Sequence, residues 1–424
     1  MDASSKNTIQ DDSIWDVTDE GSIRYEGWRI VAVSFVVATF GWAFGFYGQS
    51  VYLAELHRQH GWPSSQISAA TTFFYLFGAL LVIFVAEVTR KFGPRDCLVA
   101  GTIAMAIAVI VMGQVTSLWQ LYFADVLLAF GWAGTSLGMI SNTLGLWFNR
   151  KRGMAISLAL NGASFGGVVG VPLLVFAIGQ LGFARAMLTA ACVMVVVVLP
   201  IVFFFVGRPP LDPGVTPTSA ATTASSTGIR TRALRDMRFL SVALAFALVL
   251  FAQVGFIVHL IAFLDPIIGR SSAALAVSML TAMAVIGRVL FSTVIDRLNQ
   301  RLASAISFAS QAVALLIIIN VRSDAVLICA CAVFGFSVGN LITLPSLIVQ
   351  REFDPRSFGV LISLLTAITQ ITFAFGPGVI GALRDASGCY ALPFYGCIVL
   401  ELTAAMLIMI RGKSSTLSVE KNAA

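Results

Sequence analysis

GRPPLDPGVTPTSAATTASSTGIRTRALRD, from Gly207 to Asp236, divides this chain near its middle, and the fold follows from what lies on either side. The Pro, Ser and Thr content of this stretch offers little apolar surface to bury, so it reads as a flexible tether. Outward from it in both directions run apolar segments of about 20 residues, the length that crosses a bilayer as a helix. The first set covers 29–53, 66–88, 97–116, 120–145, 153–178 and 187–206, and the second 239–263, 273–294, 302–320, 325–347, 358–381 and 391–410. The expected architecture is an all-α polytopic membrane protein with twelve transmembrane helices in two six-helix halves. Its units are a tail (1–27), a first half (28–206), a linker (207–236), a second half (237–410) and a second tail (411–424).

Composition agrees. Of 424 residues, 58% are hydrophobic and 11% charged, against about 25% charged in a soluble domain. A water-facing surface over a chain this long needs more ionisable groups than that, so the bilayer is the expected solvent and partner. The net charge of +6 is not a nucleic-acid face, because the basic residues gather on alternate loops. One set holds Arg90, Lys91, Arg95, Arg150, Lys151, Arg152, Arg230, Arg232, Arg235, Arg238, Arg297, Arg301, Arg351, Arg356, Arg411 and Lys413. The other holds Arg58, Arg185, Arg270, Arg322 and Arg384. That bias places both termini in the cytosol. Met1 to Gly27 is polar and of mixed charge, without the apolar core of a cleavable signal, and reads as a cytosolic tail.

No catalytic or cofactor chemistry is expected. The chain has no GxxxxGK[ST] phosphate loop and no HExxH, and three histidines form no ligand cluster. The six cysteines, at or within apolar runs and without a CxxC pair, read as small packing residues, so no metal is expected. Movement of a solute would draw on an ion or solute gradient.

The sharpest residue is Arg288. An arginine this far into a span costs about 2.5–3.5 kcal/mol on insertion unless it faces a wet cavity or a partner. Its permanently charged fork of donors suits a carboxylate. The alternative is a structural pair, or a side chain reaching the nearer membrane face. Asp125 in the fourth span and His259 in the seventh are candidates to carry a coupling proton; a helix cap and an interface residue are the respective alternatives. Tyr47, Gln49, Asn142, Asn161, Gln253, Asn340 and Gln370 form a set of polar side chains able to line an interior path and orient a solute, although such groups also glue helices together. Tyr75 either points inward or packs, and Glu401 in the last span reads as a scaffold residue. Glycine clusters with Pro172 and Pro377 in the fifth and eleventh spans permit close packing and bending.

Local motifs narrow the reading. RKFGPR (Arg90 to Arg95) between the second and third spans resembles the D-R-x-G-R-R loop of the major facilitator superfamily, and IDRLNQR (Ile295 to Arg301) stands at the equivalent loop of the second half. Arg90 replaces the usual Asp and Asn299 the usual Gly; Glu87 stands one turn before as a substitute carboxylate. The gating residues this resemblance implies are Glu87, Arg90, Lys91, Gly93, Arg95, Asp296, Arg297 and Arg301. WFNRKRGMAISLALNGASFGG (Trp147 to Gly167) and EGWRIVAV (Glu26 to Val33) resemble the monocarboxylate-transporter-like group, bacterial type. In that group Arg288 matches the substrate-anion arginine. The lysine of the vertebrate first span is absent, and Ala284 replaces the aspartate before the arginine. The resemblance implies a monomeric secondary transporter of a small organic anion, a monocarboxylate, coupled to protons and working by alternating access in a bacterial inner membrane. The rival expectations are an exporter of amphipathic or drug-like compounds and a sensor that has lost transport.

Overall fold

The computed structural model describes residues 20, 22, 24–207, 223–294, 298–341, 343–354 and 357–410, all helix and connections without a strand. Among the described residues, twelve helices are long and apolar enough to cross a membrane. Spans 1 to 6 are Gly27–His60, Ser64–Phe92, Pro94–Met112, Leu118–Gly145, Arg152–Leu181 and Phe183–Phe205. Spans 7 to 12 are Met237–Ile268, Arg270–Val294, Gln300–Asn320, Asp324–Glu352, Phe358–Ser387 and Ala391–Ile408. Several run beyond the apolar segments read from sequence: span 1, expected over 29–53, continues through Glu55 and Arg58 to His60. Polar residues at a helix end are solvated by the interfacial region and need not stop the helix.

Spans alternate in direction, giving a terminal face, where span 1 begins and span 12 ends, and a distal face, with the connection between spans 1 and 2. Reversals are tight. At Gly93, between spans 2 and 3, φ is 85°, and Gly269, between spans 7 and 8, has φ 78°. A side chain is strained in that region, which explains the glycine of the RKFGPR loop.

Small residues bring backbones together within each half. A Cβ on Gly162 or Gly166 of span 5 would strike the carbonyls of Phe35 or Thr39 in span 1, and one on Gly335 or Gly339 of span 10 those of Leu280 or Ala284 in span 8. Lipid gives helices no hydrophobic reason to associate, so such close van der Waals approach replaces it. Spans 1 and 5 each contain a π-helical turn, Ala43–Tyr47 and Gly166–Gly170, pressed against one another. Single π turns inside α-helices frequently mark functional positions.

The linker differs from expectation. Thr223–Ala233 is a helix that packs on span 11, with Ala233 buried in and Ile229 half-buried against an apolar cluster of the second half. Ile229 and Ala233 are four apart and share a face, which gives this end of the linker something to bury. Residues 208–222, both tail segments 1–19 and 411–424, and the expected gating residues Asp296 and Arg297 lie outside the described residues.

Candidate functional site

Where the two halves meet, the hydrogen bonds and ion pairs between them gather toward the distal face. Glu55 of span 1, 3% exposed, pairs with Arg270 at the start of span 8 and with Arg58 at 2.8 Å. Arg58 in turn lies within electrostatic reach of Asp265 in span 7. Asp385 of span 11 accepts a 2.7 Å bond from the Ser65 backbone N–H at the start of span 2, Thr72 Oγ1 accepts one from Gly378 N–H at 3.1 Å, and Ser278 Oγ donates to the Val168 carbonyl at 2.9 Å. Glu55, Arg58, Arg270 and Asp265 make a four-charge latch on the distal side. Toward the terminal face, exposed residues of spans 5 and 11 include Ser157, Ser363 and Thr366. The sequence reading had Arg58 and Arg270 only as loop charges and missed Glu55 and Asp265. Charges at helix ends are ordinary, so the sequence carried no signal that singles them out.

Arg288 lies six residues before span 8 ends at Val294, about 9 Å along the axis. It is half-buried, and its Nε donates to the Gly339 carbonyl at 3.4 Å, a long bond. Among the described residues no carboxylate pairs with it. Its neighbour across the divide is Tyr47 at the end of the span 1 π turn, 7% exposed and within electrostatic reach of the guanidinium. The ring of Tyr47 also meets Gly167 beside Thr281, so spans 1, 5 and 8 converge there.

Nearer the distal face, Asp125 of span 4 is 1% exposed. Gln49 of span 1 turns its amide toward it while accepting a 2.9 Å bond from Thr71 Oγ1 of span 2. Tyr52 and Tyr75 lie within electrostatic reach of Asp125. Tyr75 also reaches Tyr47, and its ring stands edge-on to Phe373 of span 11 at 5.6 Å. The site is therefore two-sided, with a cation on the second half, a carboxylate on the first, and tyrosines between.

The family model described as Major Facilitator Superfamily matches residues 33–377. The chain belongs to the major facilitator superfamily. Similar curated proteins include MFS-type transporter 1 of Ophiocordyceps sp., 26% identical over 94% of this chain and 88% of that protein. Another is the aspyridones efflux protein of Emericella nidulans, 23% identical over 88% and 73%. Monocarboxylate transporter 13 of Bos taurus is 24% identical over 73% and 71%. Among solved structures, a bacterial homologue of the human lysosomal transporter Spinster, described as inward-facing and occupied, superposes with a TM-score of 0.73 at 15% identity, over 89% of this chain and 95% of that one.

Not every polar residue of this facilitator reaches the junction. Gln253 accepts a 3.2 Å bond from Gln311 of span 9 and so faces the interior of the second half. His259 is fully buried with both ring nitrogens engaged, at 3.2 Å from the Tyr390 hydroxyl and 3.0 Å from the Pro377 carbonyl. It ties span 7 to the proline of span 11, and a second ring proton would reverse the Tyr390 hydrogen bond, turning the hydroxyl from donor to acceptor. Asn340 is 1% exposed, its Oδ1 has no partner, and it lines a 380 Å³ crevice with Met283, Phe291 and Ile306 between spans 8, 9 and 10. Asn142, Asn161 and Gln370 are half-buried in spans 4, 5 and 11.

The terminal-face motifs separate into two kinds. In RKFGPR, Arg90 and Lys91 are exposed and Arg95 stacks on Phe203 of span 6 at 3.7 Å. Glu87, expected as the substitute carboxylate, is exposed and makes no ion pair among the described residues. Arg301, by contrast, is 1% exposed and grips Glu352 of span 10 with both arms, at 2.7 and 2.8 Å. The EGWRIVAV and WFNRKRG stretches are brought together. Tyr25 donates to the Trp147 carbonyl, Tyr25 and Trp28 pack edge-on against Phe148, and Glu20 accepts from the backbone N–H groups of Asn149, Arg150 and Lys151. Partial burial opposes ionisation of Glu20, yet those three donors outweigh it and hold the carboxyl below its usual range.

Proposed function

We propose that this facilitator is a secondary transporter of small organic compounds bearing a carboxylate, with Arg288 binding that carboxylate between the two halves. The observation that carries the reading is a half-buried guanidinium at the junction with no carboxylate partner among the described residues. An arginine left unpaired in a membrane span is costly, and an anionic solute relieves that cost only while it is bound. Alternating access follows if the distal latch opens as the terminal side closes. Asp125 is the favoured proton carrier, since it adjoins the junction, whereas His259 has both nitrogens committed to scaffold bonds.

A second reading concerns direction. Relatives named as efflux proteins favour export of larger amphipathic acids as much as the bovine relative's name favours a monocarboxylate. The terminal face is taken as cytosolic because the basic loops lie there, with boundaries at 28–206 and 237–410 and a monomer as the working unit. The fungal sources of several relatives weigh against the bacterial inner membrane expected from sequence.

The test is a thermal-shift screen of purified protein against lactate, pyruvate, oxalate, benzoate and longer aromatic acids, repeated on Arg288→Ala. At least one acid is expected to stabilise the parent protein and to lose that effect in the variant. Stabilisation that persists undiminished in Arg288→Ala would remove the arginine from the site.

A further inference from the structure

Spans 8 and 9 both pack on span 10 but scarcely touch one another among the described residues, and the 380 Å³ crevice that Asn340 lines lies in the gap. Ile306 of span 9 and Val333 of span 10, 61% and 51% exposed, flank its mouth. Both spans make their main packing inside the second half, so apolar side chains this exposed face lipid. Met283 and Phe336, half-buried, line the walls, and Asn340 at 1% exposure stands at the floor. The amide of Asn340 is committed on one side only. Its Nδ2 donates to the Phe336 carbonyl at 3.4 Å, while Oδ1 has no partner among the described residues. A buried amide oxygen is normally hydrogen-bonded, so this one marks a place for a donor that the chain does not supply.

We propose that this crevice is a second binding site, reached sideways from the bilayer, for a lipophilic molecule bearing an O–H group that donates to Asn340 Oδ1. The site is separate from the one at Arg288 and stands whether or not that arginine binds a carboxylate. Its volume falls in the range of small-molecule sites, about 300–1,000 Å³. Its chemistry is that of such sites too, with apolar walls that hold the body of the guest and one polar atom that fixes its orientation. The serine hydroxyls nearby do not compete for the amide oxygen: Ser337 donates to the Phe334 carbonyl at 2.9 Å and Ser310 to the Ser307 carbonyl at 2.8 Å.

Depth selects the guest. Along the axis Asn340 lies about 24 Å from the start of span 10 at Asp324 and about 18 Å from its end at Glu352, well inside a hydrocarbon layer about 30 Å thick. Lipid headgroups stay at the surface of that layer, and the acyl chains that reach this depth carry no donor. A single water meets the amide but fills little of the space, since its share of the liquid is about 30 Å³, and a buried water wants two to four polar partners. A molecule that dissolves in the bilayer and brings its own hydroxyl satisfies both the walls and the amide. The crevice also shares a turn of span 10 with the junction between the halves, for Gly339, the residue before Asn340, carries the carbonyl that meets Arg288 Nε.

The test uses the full chain in phosphatidylcholine vesicles and two photoreactive probes, 3-azioctanol, whose diazirine sits beside its hydroxyl, and 3-azioctane, the same chain without the hydroxyl. Adducts on the peptides of Ile306, Val333 and Phe336 are quantified by mass spectrometry against the lipid-exposed span 6 peptide that holds Phe203 and Phe204, 56% and 76% exposed. The alcohol is expected to label the crevice about fivefold more than the hydrocarbon does after this normalisation, the worth of one neutral hydrogen bond. Asn340→Leu is expected to abolish that preference and leave hydrocarbon labelling unchanged. Ile306→Trp, a change at an exposed position that leaves the amide in place, is expected to block the mouth and lower labelling by both probes. Equal labelling by the two probes in the parent protein, which is the result for a crevice filled by acyl chains, overturns the proposal. So does a preference for the alcohol that survives Asn340→Leu, or labelling that Ile306→Trp does not reduce. No acid enters the experiment, so its failure leaves the reading of Arg288 untouched, and the failure of that reading leaves this site standing.

Discussion

Arg301→Ala is expected to destabilise the second half by about 3 kcal/mol. Its guanidinium holds together four elements at the terminal face. Nε and Nη2 grip both oxygens of Glu352 in span 10, Nη1 donates to Ser241 Oγ in span 7 and to the Ile408 and Ile410 carbonyls at the end of span 12, and Nη2 also reaches the Arg238 carbonyl. Span 12 thus ends on acceptors that would otherwise lack donors, a recurrent need at helix C-termini. The variant Glu352→Ala is expected to be at least as damaging, because it leaves the charge of an arginine only 1% exposed without its carboxylate. Removing Arg301 instead strands a carboxylate that is 24% exposed and can reach water. Thermal unfolding in detergent, followed by tryptophan fluorescence, reads both. Unchanged midpoints in the two variants would show that the clasp is ornamental.

The second large effect is expected at the distal latch. Arg270→Gln leaves Glu55, 3% exposed, with Arg58 as its remaining partner, and that partner is itself 57% exposed. The cost falls on the conformation in which the distal ends are together, because a half that has rotated away exposes Glu55 to water. A loss of about 3 kcal/mol from a broken buried pair changes the ratio of conformations by about a hundredfold. Spin labels at Gln59→Cys and Ser271→Cys, exposed on either side of the latch, are expected to move apart in Arg270→Gln. Adding Glu55→Gln is expected to restore much of the original distance distribution, since removing both members of a buried pair costs less than removing one. A distribution that is the same in all three proteins would mean that the latch does not set the conformation.

The fold was legible because lipid imposes a simple rule. Apolar runs of span length must be helices, and alternate basic loops fix their order, so twelve spans in two sets of six could be counted without knowing any contact. Arg288 was legible for the same reason: a charge in an apolar run is an anomaly visible in one dimension. What could not be read was which way a polar side chain turns. Gln49 and Gln253 look alike in sequence, yet one faces Asp125 at the junction while the other bonds Gln311 inside its own half. His259 likewise reads as a titratable group until its two scaffold partners, 118 and 131 residues away, are seen. Helical phase relative to neighbouring spans decides these cases, and hydropathy carries almost no information on it when a span is apolar all round. Glu55 and Asp265 were missed because charges at helix ends are ordinary; only the pairing of spans 1, 7 and 8 gives them meaning.

The central claim is that the guanidinium of Arg288 faces the space between the halves and there receives a carboxylate. Peptide-resolved modification of Arg288 by phenylglyoxal, applied to membrane vesicles of either orientation, addresses it at the residue itself. Modification from the side of the terminal face, slowed by an acid that stabilises the protein in the thermal screen, is the predicted result. An Arg288 that resists the reagent from both sides, or reacts equally fast with and without such an acid, would contradict the account.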